Sequence, residues 1–269
     1  KMQDVGGKLT KYVSAPMTAF AAATVAAFNE VDAGMDIVVK KTGATGEALK
    51  GLQDSARNIA TTIPTSFETA GSAVGEVNTK FGLVGQDLEA LSSKFIKFAD
   101  LNDTDVSSAV DKTQKVMQAF GMETEDAGKL LDVLNATGQA TGISIDTLAS
   151  SMTKNASSLQ QMGMSAYDAA QFLGQVEMSG ANTETVMKGM QTALVKAAED
   201  GKTLPQVLGE FSDLMASGAT EQEKLNAAID LFGKKAGPAI YEACKSGSLD
   251  LKAFSTDVEQ YLGNVETTF

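Results

Sequence analysis

The chain has 269 residues, enough for one large domain or two modest ones. Its net charge of -12 argues against a nucleic-acid or anionic-lipid surface, which needs clustered Lys and Arg. Histidine is absent, which removes serine-type triads, most zinc sites and the commonest general base. Cys244 is the single cysteine, so no intramolecular disulfide forms. Tryptophan is also absent, and Ala, Leu, Val, Met and Phe supply most of the apolar side chains. Those residues favour helices, and the β-branched and aromatic excess of strands is missing. The whole chain reads as helical.

The opening Lys1-Met2-Gln3-Asp4 carries no secretory leader and reads as the middle of a longer chain. Residues 12–28 are the most apolar stretch, rich in Ala and Thr and interrupted by Pro16. A membrane span wants roughly 20 strongly apolar residues. The stretch therefore reads as a long helix from Pro16, in an N-terminal part covering residues 1–45, with membrane contact as the lesser alternative. Residues 46–269 read as a helical core. Leu49, Leu52, Ala56, Ile59 and Ile63 recur at steps of three and four, and Pro64 ends that helix. Phe67, Ala70, Val74, Val77 and Phe81 mark the next, and Leu88, Leu91, Phe95 and Phe98 another.

A motif then recurs. Gly82-Leu83-Val84-Gly85-Gln86-Asp87, Gly121-Met122-Glu123-Thr124-Glu125-Asp126 and Gly163-Met164-Ser165-Ala166-Tyr167-Asp168 share a glycine, an apolar residue and an acid. They lie roughly 40 residues apart, with a shortened copy at Gly142-Ile143-Ser144-Ile145-Asp146. The glycine suits a left-handed residue after a helix end, and the apolar residue is expected in the core. A small polar residue then caps the next helix, and the acid favours its first turn. Joints about every 20 residues predict consecutive antiparallel helices, about ten or more in all, as an irregular array of hairpins or a multi-helix bundle. Further helices carry Val186, Met190, Leu194 and Ala197 up to Gly201, then Leu204, Val207, Leu208, Phe211 and Leu214 up to Gly218. Leu225, Ile229 and Phe232 mark another, closed by Gly233, with a restart at Gly237-Pro238. Leu251, Phe254, Val258 and Leu262 mark a last helix.

Candidate chemical sites have plainer readings. Asp100-Leu101-Asn102-Asp103-Thr104-Asp105 alternates oxygen ligands like a calcium loop. However, Asp105 stands where glycine belongs, and Asp111 stands where the bidentate glutamate belongs. An acidic helix start near Thr104 explains it. Gly43-Ala44-Thr45-Gly46 and Gly82-Leu83-Val84-Gly85 lead into no Gly-Lys-Ser/Thr and read as helix joints. Asn102, Asn135 and Asn155 open glycosylation triplets, but nothing points to secretion. The acids Glu123, Glu125 and Asp126, and Glu221 with Glu223, lie at expected helix starts rather than in a catalytic pair. Cys244 lacks a histidine partner. The methionines read as core, with adaptable interfaces as their other use. No catalytic residue, cofactor or metal is expected.

The order of several pieces resembles the core region of phage tail tape measure proteins, the phage-related minor tail protein family. Asn29-Glu30-Val31-Asp32-Ala33-Gly34-Met35 leads to Lys41-Thr42-Gly43-Ala44-Thr45. Ser72-Ala73-Val74-Gly75-Glu76-Val77-Asn78-Thr79-Lys80-Phe81-Gly82 follows, then Phe95-Ile96-Lys97-Phe98-Ala99, Thr104-Asp105-Val106 and Ala109-Val110. Thr141-Gly142-Ile143-Ser144 and Leu231-Phe232-Gly233-Lys234-Lys235-Ala236-Gly237-Pro238 complete the series. The resemblance covers roughly residues 1–255. It implies a structural, non-enzymatic protein of the virion that sets tail length, scaffolds tube assembly and aids DNA ejection. The implied partners are the tail tube protein, tail assembly chaperones and further copies of the chain, in the host cytoplasm and then in the tail lumen. A non-viral helical interaction module and a membrane-active virion segment are the alternatives.

Overall fold

The computed structural model describes residues 30–252 and 258–269. The stretch 12–28, with the helix expected from Pro16, lies outside the described residues, and so does Phe254. Among the described residues there is no strand, and twelve α-helices follow one another. They are α1 (residues 30–42), α2 (Gly46–Thr62), α3 (Phe67–Phe81), α4 (Gly85–Leu101), α5 (Val106–Phe120) and α6 (Ala127–Thr141). Then come α7 (Ile145–Gln161), α8 (Ala166–Met178), α9 (Thr183–Glu199), α10 (Leu204–Ala216), α11 (Glu221–Lys245) and α12 (Asn264–Thr268). The fold is the all-α array of helices that composition and spacing predict.

The joints are built largely as the recurring motif implies. Gly82, Gly121, Gly142 and Gly163 all have left-handed φ between 67° and 84°. After α5 the Met122 N–H reaches back to the Met117 carbonyl, closing a Schellman motif. Ser144 caps α7 through the Thr147 N–H. Ser165 caps α8 in a full capping box with Asp168. Two joints depart from the pattern. Before α6 a 3-10 turn, Thr124–Asp126, intervenes, and Asp126 makes no side-chain cap bond. Before α4 the chain offers Val84 and Gly85, neither of which has a capping oxygen. The apolar residue after the glycine is buried only at Met164; Leu83, Met122 and Ile143 stay half-buried at hairpin tips. Replacing Ser165 by alanine is expected to lower stability by about 1 kcal/mol, read as a shift of the urea midpoint at unchanged slope.

Contacts divide the chain into two compact units between Ile96 and Lys97, inside α4. In the first, α1 runs parallel to α3. Gly34 meets Phe67 and Gly71 near one end, and Lys41 meets Glu76 and Thr79 near the other. Helix α2 packs on α3, and its Ser55 and Asn58 side chains donate to Glu89.

The second unit repeats this register. Helix α5 packs on α7, with Lys112 paired to Asp146 and Gln160 donating to the Ala119 carbonyl. Helix α6 packs on α8, with Gln171 donating to Thr137 and Gly174 against Thr141. In each of these pairs the helix thus lies parallel to the next but one. In the α7–α8 hairpin, Ser151 of the first arm reaches Glu177 of the second. This is the contact pattern of a helical hairpin array, in which sequence-local packing builds the core.

Helix α11 is two arms. Gly233 has φ 84° and ψ 160°, which no helix accommodates, and the chain folds back there. Glu221 at the start of the first arm then meets Tyr241 and Lys245 of the second. The sequence places the restart at Gly237-Pro238, whereas it comes directly after Gly233. Gly237 instead sets how closely the two arms approach, because a Cβ there would lie 2.6 Å from the Ile229 Cα. The expected last helix through Leu251, Val258 and Leu262 is also corrected. Leu251 lies in a bend and Val258–Tyr261 form a 3-10 turn, after which Gly263 adopts a left-handed conformation and starts α12.

Candidate functional site

The middle of helix α6 is enclosed on every side. Leu130, Leu131, Val133 and Leu134 are all 0% exposed, so no face of this stretch is left to water. Asp132 and Asn135 lie in the same stretch, one turn apart, and are 1% and 0% exposed. Buried polar groups at that depth need partners. The segment 258–269 supplies them. The Asp132 carboxylate accepts the Gly263 N–H at 2.9 Å and the Val265 N–H at 3.0 Å. Those are orphan donors at the start of α12, and a carboxylate there also meets the positive end of the helix. The Asn135 side chain donates to Asn264 at 2.7 Å and to Thr268 at 3.1 Å, and accepts from Asn102 at 2.8 Å.

Asp250 and Lys252 are held on two even-numbered helices. The Lys252 ammonium pairs with Asp213 of α10 at 2.6 Å, and the Asp250 N–H donates to Gln175 of α8 at 2.8 Å. Val258 and Glu259 border a cavity of about 330 Å³ with Met122, Asp126, Ser165 and Tyr167. Burial, then the neighbouring Asp126, pushes the Tyr167 phenol up to about 12. At the far end Lys97 of α4 stands 5.7 Å over the Phe269 ring.

Several of the residues weighed from sequence serve helix ends and ion pairs. Asp105 is the N-cap of α5 and accepts the Ser108 N–H at 2.9 Å, Asp103 adopts φ 49°, and Asp111 pairs with Lys115 one turn on. Among the described residues no group of three or more His, Cys, Asp or Glu side chains is placed to hold a metal ion. Glu125 and Asp126 lie in the 3-10 turn that follows Glu123, and Asp126 faces Lys129. Hydrogen bonds from Lys245, then Tyr241, hold the Glu221 carboxyl below the usual range, and Thr220 does the same for Glu223 within its capping box. Gly43 and Gly46 are left-handed residues of the α1–α2 joint, and Gly82 and Gly85 those of the α3–α4 joint. Asn135 is fully buried, and the amides of Asn102 and Asn155 bond to backbone carbonyls one turn earlier. Most methionines pack inside, Met152 and Met190 completely, while Met178 is 45% exposed. No helix among the described residues is long and apolar enough to cross a membrane.

Cys244 lines a cavity of about 630 Å³ with Met215, Glu221 and Asp250. Burial, then the charge of Asp250, pushes its thiol up to about 12. A thiol held protonated when folded and released when unfolded makes folding less favourable as pH rises above about 9, through the folded value. Alkylation at pH 8 is therefore expected to be slower by roughly 100-fold or more in the native chain than in urea, and Cys244→Ala is expected to flatten the alkaline loss of stability.

The profile of the phage-related minor tail protein family matches residues 53–238. The chain belongs to that family. The match runs from within α2 to the second arm of α11 and so contains the joints and the register described above. A tape measure protein of Pneumococcus phage Dp-1 is 26% identical over 148 residues, which are 55% of this chain and 13% of that protein. The chain thus spans a small part of the length of that relative. No solved structure matches. The resemblance read from the joints is the family this profile shows. In this minor tail protein chain the polar side chains weighed above serve caps, rungs between helices and the Asp132 seat.

Proposed function

We propose that this minor tail protein chain is a folded core segment of a tape measure protein, acting as a structural element in tail assembly. The observation that carries the reading is the family match over residues 53–238, laid on a helical array in which α5 lies parallel to α7 and α6 to α8. The segment works by occupying and organising space, not by turnover. Its partners are the tail tube protein, the tail assembly chaperones and further copies of itself. It acts in the host cytoplasm during assembly and in the tail lumen of the virion, where it sets tail length and aids DNA ejection. Length enters because a helix advances about 1.5 Å per residue.

The test is an in-frame deletion of residues 104–200 in the parent phage, with tails counted and measured by electron microscopy. Loss of tails supports a nucleating core. Tails shortened by up to roughly 150 Å, the span of that stretch as continuous helix, support a ruler. Normal numbers of normal-length tails overturn the proposal and favour a generic helical interaction module.

A further inference from the structure

The segment 258–269 is attached to α6 by different forces from those that join the helices. Helices α5 to α11 meet through fully buried apolar side chains, among them Leu130, Leu148, Leu173, Met190 and Phe232. In the described residues 258–269 Val265 is the one fully buried side chain, while Leu262 and Phe269 remain 42% and 41% exposed. Attachment to α6 rests on hydrogen bonds: two backbone N–H groups on the Asp132 carboxylate, and Asn264 and Thr268 on Asn135. When such an interface parts, the polar groups exchange protein partners for water and little apolar surface is bared. Parting two apolar helices offers no such replacement. The segment thus has the composition of an attachment that opens below the threshold of global unfolding.

We propose that residues 258–269 form a releasable strap, which leaves α6 as a unit while helices α5 to α11 stay folded. Opening bares a polar notch whose base is the Asp132 carboxylate and the Asn135 amide, and withdraws Phe269 from Lys97. The same three helix-start features, a left-handed Gly263, Asn264 and the Val265 plug, reseat it without rearranging α6.

Native-state hydrogen exchange on the full chain, followed residue by residue at rising low urea, tests this. The Gly263 and Val265 amides are expected to exchange on the order of 100-fold or more faster than Leu131 and Leu134 in α6, with a rate nearly independent of urea. Asn264→Ala, which removes one Asn135 bond from the strap side, is expected to accelerate those two amides several-fold and leave α6 unchanged. Equal protection and equal urea dependence for Val265 and Leu134 would overturn the proposal, because the strap would then belong to the cooperative core. Exchange at the rate of an unstructured peptide would also overturn it, since nothing would then be docked. Acceleration of α6 together with the strap in Asn264→Ala would contradict independent release.

Discussion

Gly237→Ala is expected to lower the thermal midpoint of the second unit by about 6–12 °C, the counterpart of about 3 kcal/mol. Alanine is the better helix former by about 0.5–1 kcal/mol, so local propensity predicts the opposite sign. Contact decides the matter. A Cβ at position 237 would lie 2.6 Å from the Ile229 Cα and 2.7 Å from the Ala228 carbonyl oxygen. Those are backbone atoms of the facing arm, so no side chain can swing away to relieve the overlap. The arms of α11 must separate, which also strains the Glu221 contacts with Tyr241 and Lys245. Gly209 in α10 is the matched control, because a Cβ there meets nothing within 4 Å. Gly209→Ala is expected to raise stability by about 0.5–1 kcal/mol. Thermal melts followed by circular dichroism read both signs.

Phe232→Ala is expected to cost about 3–5 kcal/mol, the largest effect of a single truncation in this region. Phe232 is 1% exposed at the end of the first α11 arm, and its ring meets Phe211 of α10 edge to face at 5.2 Å and 88°. Its Cβ also faces Gly189 of α9, so one side chain ties three helices together. Truncation leaves a cavity bounded by helices already fixed by Gly233 and Gly237, and collapse is limited. Truncating Phe211, which is 4% exposed, is expected to cost less alone. A double-mutant cycle on the two rings should show a coupling of about 0.5–1.5 kcal/mol, the worth of the aromatic pair beyond its buried area. Urea midpoints of the four chains give the number.

The helices and their joints were legible because they rest on local chemistry. Steps of three and four between apolar residues mark buried faces, and left-handed glycines mark the ends, as at Gly142 and Gly163. The capping box at Ser165 and Asp168 could be read from four consecutive positions. The departures arise where distant contacts override local signals. Gly237-Pro238 looks like a restart, yet Gly233 makes the turn and Gly237 serves the approach of the arms. The Leu251–Leu262 spacing is helical, but Leu251 lies in a bend and Val258–Tyr261 in a 3-10 turn, next to Asp250 held by Gln175 and Gly263 held by Asp132.

The strap seat itself left one trace in the sequence. Asp132 and Asn135 interrupt the run Leu130-Leu131-Asp132-Val133-Leu134-Asn135 at a spacing of three, which puts two polar groups on one face of a stretch otherwise apolar all round. That pattern demands internal partners. It does not say that they come from residues 258–269, since no rule of local spacing reaches across that much chain. The resemblance to tape measure proteins was legible through the order of the joints, not through any one of them.

Whether the folded array itself builds the tail is tested most directly by one comparison. The parent phage carrying Gly237→Ala and the parent phage carrying Gly209→Ala are grown in parallel, and tails per infected cell are counted by electron microscopy. If tail assembly uses the folded array, Gly237→Ala sharply reduces the number of tails while Gly209→Ala leaves it unchanged. Equal numbers of normal tails from both, with the stability loss of Gly237→Ala verified on the isolated chain, would contradict a role for this fold in building the tail.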